Sequence, residues 1–199
     1  MQPTTLFEFE AFPTLQTPRL VLREIMPEDD DAVFRLRADV EVTRYNTGRP
    51  YTHLDQARDL IDDIRRGFDD RRELRWAITL KAEPQPRRLI GMCGYNFWLR
   101  QDRRASIGYD LLRSYWGKGI MTEALDAVLA FGFSRMDLNR IEADVSTENI
   151  ASRRVLEKLG FTYEGTQREQ YYEWGDFHDL ELYSLLRREY ERRALGSQR

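Results

Sequence analysis

IGYDLLRSYWGKGIMTEAL, running from Ile107 to Leu125, decides the fold, because the chain changes its period inside this stretch. Up to it, Arg104 to Leu112 reads as a strand. Beyond it, Met121, Ala124, Leu125, Val128 and Leu129 recur three and four apart, the stripe of a helix. Gly117 and Gly119 stand at the junction. A glycine turn that closes a strand and opens a helix lets backbone N–H groups converge on an anion at the helix's positive end. The pattern reads as a pyrophosphate cradle; a tight turn with no ligand is the competing reading of two glycines alone. Lys118 between them either adds charge or is solvated. Other phosphate motifs fit worse. A Walker A loop needs Gly-Lys-Ser/Thr, whereas Lys118 is followed by Gly119, and the dinucleotide fingerprint needs a third small residue where Thr122 stands.

Outward from this junction, strands and helices interleave. Toward the N-terminus, Arg19 to Ile25 alternates as a first strand, and Pro27 opens a helix whose first turn holds Glu28, Asp29 and Asp30, where the helix dipole favours acids. Leu54, Ala57, Leu60, Ile61, Ile64 and Phe68 mark a second helix after a capping-type Thr52. The segment between them, VTRYNTGRPYTH, is rich in turn formers and reads as a loop of the kind that touches substrates. Leu74 to Leu80, Leu89 to Leu99 and Arg104 to Leu112 form an antiparallel meander. After the glycine turn come a strand at Arg140 to Val145, a helix capped by Asn149 and ended by Gly160, strands at Phe161 to Thr166 and His178 to Leu186, and a short exposed terminal helix in RREYERRAL. The expected architecture is an α/β (α+β) fold, a mixed and largely antiparallel sheet of about seven strands with helices on both faces.

Composition narrows the function. A chain of 199 residues, 41% hydrophobic, suits one domain with its own core. Lys and Arg (31) nearly balance Asp and Glu (34), so no broad positive footprint for nucleic acid exists. Cys93, the only cysteine, lies in an apolar run and reads as a core residue. His53 and His178 are far apart and no ligand spacing surrounds them, so no metal is expected. No apolar stretch approaches the roughly 20 residues that span a bilayer, and the first residues lack the features of a signal peptide. A cytoplasmic protein without membrane contact is the expectation. Residues 1–16 form an N-terminal arm whose Phe7, Phe9 and Phe12 are too apolar for a free tail, which predicts packing on the sheet or on the second subunit of a homodimer. Residues 193–199 are expected as a tail.

Two stretches together, IGYDLLRSYWGKGIMTEAL and ENIASRRVLEKLGF (Glu148 to Phe161), resemble the GNAT superfamily of N-acetyltransferases in its RimJ/RimL-like branch. TPRLVLRE near the start and DFHDLELYSLLRREY near the end extend the resemblance to residues 17–192. It implies acetyl-CoA as donor and an amine as acceptor. In this family the strand before the glycine turn parts from its neighbour and admits the pantetheine arm, which here implicates Asp110, Leu111, Leu112 and Arg113, with the N–H of Asp110 or Leu112 facing the acyl oxygen. The pyrophosphate is expected at Trp116, Gly117, Lys118, Gly119, Ile120 and Met121, with Thr122 next in line. Trp116 departs from the superfamily's usual Arg or Gln and matches the branch. Asn149 and Ser152 match the second motif, in which the Asn contacts the coenzyme arm and a hydroxyl lies near sulfur, so Ser152 is the candidate acid for the departing thiolate. A helix cap and a first-turn polar residue are their competing readings.

An alkylammonium has no lone pair to attack with, so a base is expected. Relatives carry a glutamate where this chain has Ser106, which leaves Asp144 as the candidate base, with Glu142 and Asp110 as alternatives and a merely solvated or paired strand carboxylate as the competing reading of each. Asp179 reads as either an orienting acid or a loop anchor. The acceptor pocket is expected from residues 43–53 and 167–178, the latter with Tyr171, Tyr172, Trp174 and Phe177. The leading acceptor is a peptide or protein N-terminal amine; a polyamine, an aminoglycoside or an amino acid is the alternative, as is a coenzyme A-binding module without catalysis.

Overall fold

The computed structural model describes residues 8, 10–45, 48–84, 87–173 and 175–196. In chain order the elements are β1 (Leu15–Gln16), β2 (Leu20–Arg23), a 3-10 turn at Pro27–Asp29, α1 (Asp30–Ala38), α2 (Val40–Thr43), α3 (Leu54–Asp69), β3 (Leu74–Leu80), β4 (Gly91–Leu99), β5 (Arg104–Leu111), a second 3-10 turn (Arg113–Tyr115), α4 (Ile120–Ser134), β6 (Arg140–Ser146), α5 (Ile150–Leu159), β7 (Thr162–Glu173), β8 (Asp176–Leu186) and α6 (Arg187–Gly196). Eight strands form one sheet in the order β1-β2-β3-β4-β5-β6-β8-β7. Every pair is antiparallel except β5 with β6. The strand beyond the expected seven is β1, a two-residue pairing of Leu15 and Gln16 with Leu22 and Val21 that draws the end of the N-terminal arm into the sheet.

Two apolar layers hold the helices to the sheet. On one face Ala32, Val33 and Leu36 of α1 and Ala57, Ile61 and Ile64 of α3 cover Ala77, Leu89 and Met92. On the other, Ala124, Leu125, Val128 and Leu129 of α4 and Leu156 and Leu159 of α5 cover Trp76, Cys93, Tyr95, Ile107 and Ile141. Each Val, Leu, Ile or Met side chain among them, fully buried, contributes about 1.5–3 kcal/mol. Tyr95 meets its one polar need inside the layer by donating its hydroxyl hydrogen to the Val128 carbonyl at 2.8 Å.

Several boundaries differ from the sequence reading. The segment after α1 contains the short helix α2, because Asp39 caps it by accepting the Glu41 N–H at 3.0 Å, a local signal hidden by the turn formers that follow. β7 runs to Glu173, well past Thr166, since its exposed residues follow no clean alternation. Helix α6 extends to Gly196, beyond the residue 192 limit of the expected domain, and is not merely exposed: Tyr190 stacks on Phe133 of α4, centroids 4.8 Å apart. Phe7, Phe9 and Trp174 lie outside the described residues. Phe12 does pack on the sheet face, against Phe68 and Trp76, and the Trp76 indole donates to the Pro13 carbonyl at 2.6 Å.

Candidate active site

The site begins where β5 and β6 part. Their parallel pairing covers only Arg104 with Arg140, Ala105 with Ile141 and Ser106 with Glu142. β4 and β8 continue to pair beyond that point, holding β5 to Leu111 and β6 to Ser146. The two strands therefore diverge toward their C-terminal ends and leave a wedge whose edges carry unpaired backbone groups. The Arg103 carbonyl accepts from the N–H groups of Asn139 and Arg140, so the odd-numbered residues of β5 face β6. The Leu112 N–H donates instead to the Ile90 carbonyl at 3.0 Å. Leu112 is thus committed to the β4 side, and alternation turns Asp110 the same way. The backbone N–H groups that face the wedge are therefore those of Tyr109 and Leu111, and those of Asp110 and Leu112 turn toward β4, a parity that only the register reveals.

At the wide end of the wedge the chain turns through Gly117 (φ 71°) and Gly119 (φ 72°), both in the left-handed region that glycine enters without strain. A side chain at Gly117 would meet nothing of the protein within 4 Å. Glycine is required there by backbone angle, and the space in front of it is open. The Glu123 N–H bonds the Gly119 carbonyl at 3.1 Å; the N–H groups of residues 117 to 122 find no acceptor among the described residues. Six consecutive free donors at the positive end of a 15-residue helix suit a pyrophosphate. The Trp116 N–H is not among them, since it donates to the Arg113 carbonyl at 3.0 Å; its indole N–H donates to the Leu111 carbonyl at 2.7 Å, tying the turn to the wedge.

A cavity of about 410 Å³ joins the wedge to this turn. Of the residues expected to hold coenzyme, Asp110, Leu111, Trp116, Gly117, Gly119, Ile120, Met121, Thr122, Asn149 and Ser152 line it. Leu112, Arg113 and Lys118 do not: Leu112 is half-buried between the core layers, Arg113 leans toward Asp39 at 3.9 Å, and the Lys118 ammonium lies over the Tyr115 ring at 5.6 Å. Tyr45, from the expected acceptor segment, also lines it; sequence reasoning missed Glu41, Val42, Tyr109 and Tyr115, and on α5 Ala151, Arg154, Val155 and Lys158. The helical spacing from Ala151 to Val155 and Lys158 was the available signal for the last group.

Across the wedge the Tyr109 and Ser152 hydroxyls meet at 2.6 Å. Burial pushes the Tyr109 phenol up to about 12, with Ser152 opposing the rise, so Tyr109 stays protonated. Asn149 caps α5 by accepting the Ser152 N–H at 3.0 Å, and that cap sets Ser152 on the first turn facing Tyr109. The capping and the cavity-lining positions of Asn149 coexist.

The three candidate bases differ in their partners. Asp110 is buried against Arg37 at 3.0 Å. Glu142 accepts from Arg140 at 2.6 Å and Arg104 at 3.2 Å. Asp144 has neither cation nor hydrogen-bond partner among the described residues, and its carboxyl is held above the ordinary range by desolvation first and by the charge of Glu142 second. It is exposed on the β6 face that also carries Glu142, outside the cavity lining.

The two expected acceptor loops do meet. The Glu173 carboxylate accepts the Gly48 N–H at 3.1 Å, and Tyr171 stacks on His178 with centroids 5.1 Å apart. Asp179 accepts the Glu169 N–H at 2.7 Å in the bulge of β7, where Glu169 takes φ 52°. That contact ties β7 to β8 within the hairpin. Among the described residues no cluster of His, Cys, Asp and Glu could hold a metal, and no helix is long and apolar enough to cross a membrane.

The profile of the acetyltransferase (GNAT) domain matches residues 19–162. The chain is 40% identical over 177 residues to the uncharacterized N-acetyltransferase p20 of Bacillus licheniformis, covering 89% of this chain and 98% of that protein. It is 34% identical over 132 residues to YdaF of Bacillus subtilis, named as a candidate ribosomal N-acetyltransferase, covering 66% of this chain and 69% of that one. In fold it is similar to RimL, the ribosomal L7/L12 alpha-N-protein acetyltransferase solved with coenzyme A, at a TM-score of 0.79, with 22% identity, 87% of this chain and 98% of that chain covered.

Proposed function

The chain belongs to the GNAT acetyltransferase family, and from that premise we propose that it transfers the acetyl group of acetyl-CoA to the N-terminal amine of a peptide or protein. The observation that carries the donor half is the row of free N–H groups from residues 117 to 122 at the mouth of a wedge in the sheet. Those groups would take the pyrophosphate, and the odd-numbered edge of β5 would run beside the pantetheine arm. The N–H of Tyr109 or Leu111 then stabilises the charge that develops on the acyl oxygen. Asp144 accepts the amine's proton, directly or through water, because it is the one candidate carboxylate without a cation partner among the described residues. Ser152 offers its hydroxyl hydrogen to the departing thiolate while the protonated Tyr109 donates to its oxygen. Much of the acceleration comes from holding amine against thioester.

A peptide acceptor fits the likeness to proteins named as ribosomal N-acetyltransferases. A second reading rests on Glu41, whose carboxylate at the cavity has no partner among the described residues and favours an acceptor with an additional positive charge, such as a polyamine. Release of coenzyme A from acetyl-CoA should be followed with peptides of varied N-terminus and with polyamines in parallel. Peptide turnover well above polyamine turnover is expected; the reverse order, lost on Glu41→Gln, would move the assignment to the cationic acceptor.

A further inference from the structure

The segment TPRL, Thr17 to Leu20, has no part in the chemistry described so far, yet it reaches the glycine turn. Glu123, in the first turn of α4, collects three of its donors: the Thr17 hydroxyl at 2.5 Å, the Arg19 N–H at 2.9 Å and the Arg19 Nε at 2.5 Å. Burial raises the Glu123 carboxyl, but these contacts outweigh it and leave the group below its ordinary value, hence ionised at neutral pH. So anchored, Arg19 donates through Nη1 to the Lys118 carbonyl at 2.9 Å. Lys118 is the residue between the two left-handed glycines.

We propose that Arg19 is a positioning residue for the coenzyme: by holding the Lys118 carbonyl, it orients the Gly119 N–H toward the pyrophosphate. A trans peptide is planar, with its carbonyl and N–H pointing to opposite sides. Fixing the Lys118 oxygen on the guanidinium therefore fixes the next N–H on the other side, and Gly119 lines the cavity. Without that hold the two glycines leave the turn wide backbone freedom, and ordering it would oppose each binding event. Arg19 also offsets the negative charge that Glu123 would otherwise place beside a bound anion. The inference rests on the reading of residues 117 to 122 as the pyrophosphate cradle.

Calorimetry with coenzyme A and with pantetheine, which lacks the pyrophosphate, tests it without knowledge of the acceptor. Arg19→Ala should weaken coenzyme A about tenfold, the weight of one charge-assisted hydrogen bond, and leave pantetheine unchanged. Thr17→Val removes a Glu123 donor but keeps the contact to Lys118; it should lower thermal stability and retain coenzyme A affinity. Equal weakening of both ligands by Arg19→Ala, unchanged coenzyme A affinity in that variant, or a loss in Thr17→Val as large as in Arg19→Ala would each overturn the inference. If the unaltered protein binds pantetheine as tightly as coenzyme A, the cradle reading itself fails.

Discussion

Asp110 and Asp144 stand on neighbouring strands, and a guanidinium separates their chemistry. Arg37 neutralises Asp110 at 3.0 Å in a buried pair, where removing one partner costs about 3–5 kcal/mol. Asp144 has no cation partner among the described residues, and the upward shift of its carboxyl brings protonation nearer to neutrality. Because the base must be ionised, activity should fall as pH drops through a value above the ordinary carboxylate range. Asp144→Asn should lower kcat by about a hundredfold and remove that acidic limb. A limb that persists in Asp144→Asn would assign it to the amine's own ionisation. Ser152→Ala should lower kcat by one to two orders of magnitude, roughly 1.4–2.8 kcal/mol, with little change in coenzyme affinity, since the hydroxyl acts as charge develops on sulfur. Full activity in both variants would leave catalysis to positioning and backbone donors. None of this selectivity is visible from residue types: three carboxylates on strands look alike until their partners are known.

Among the elements, the β7–β8 hairpin carries the segment proposed to meet the acceptor, and its attachment runs through a clamp across three strands. Arg140 on β6 grips Glu164 on β7 with two bonds of 2.7 and 2.5 Å, and Ser184 on β8 between them donates at 2.7 Å. Arg140 first and Ser184 second hold the Glu164 carboxyl down to about 2. A carboxyl with a folded-state pKa below its unfolded one stabilises fully above the ordinary glutamate range and loses that contribution as pH falls through the folded value. Glu164→Gln should therefore cost about 1 kcal/mol at neutral pH, since partial exposure screens the pair. The difference from the unaltered protein should vanish as pH approaches 2, read from Tm or denaturant midpoints. A difference independent of pH would mean that the clamp acts through shape and not charge. Helix α5, by contrast, was legible in advance: Asn149 and Gly160 bound it as expected, because capping needs only neighbours three or four residues away.

At the scale of the whole molecule, the N-terminal segment ties distant parts together. Phe12 packs on Phe68 of α3 and Trp76 of β3, the Pro13 carbonyl satisfies the Trp76 indole, and β1 extends the sheet. Deleting residues 1–14 would open the face of a fully buried tryptophan and orphan its N–H. A loss of about 3 kcal/mol is expected, or a Tm lower by roughly 6–12 °C. An unchanged melting curve would show that the segment adds no stability.

Periodicity, caps and turn residues act over a few positions, so the sequence by itself determined most of the strands and helices, though not β1, α2 or the far end of β7, placed two glycines at a strand-to-helix junction, and carried the motifs that identify the family. The site required contacts that local pattern cannot encode. Arg19 meets Glu123 across 104 residues, Arg37 meets Asp110 across 73, and Tyr109 meets Ser152 across 43. Only tertiary structure decided which carboxylate stays unpaired, which edge of β5 faces the wedge, and which N–H groups remain free. A side chain's charge and hydrogen-bonding capacity are intrinsic to it, but what remains of them depends on the neighbours the fold supplies.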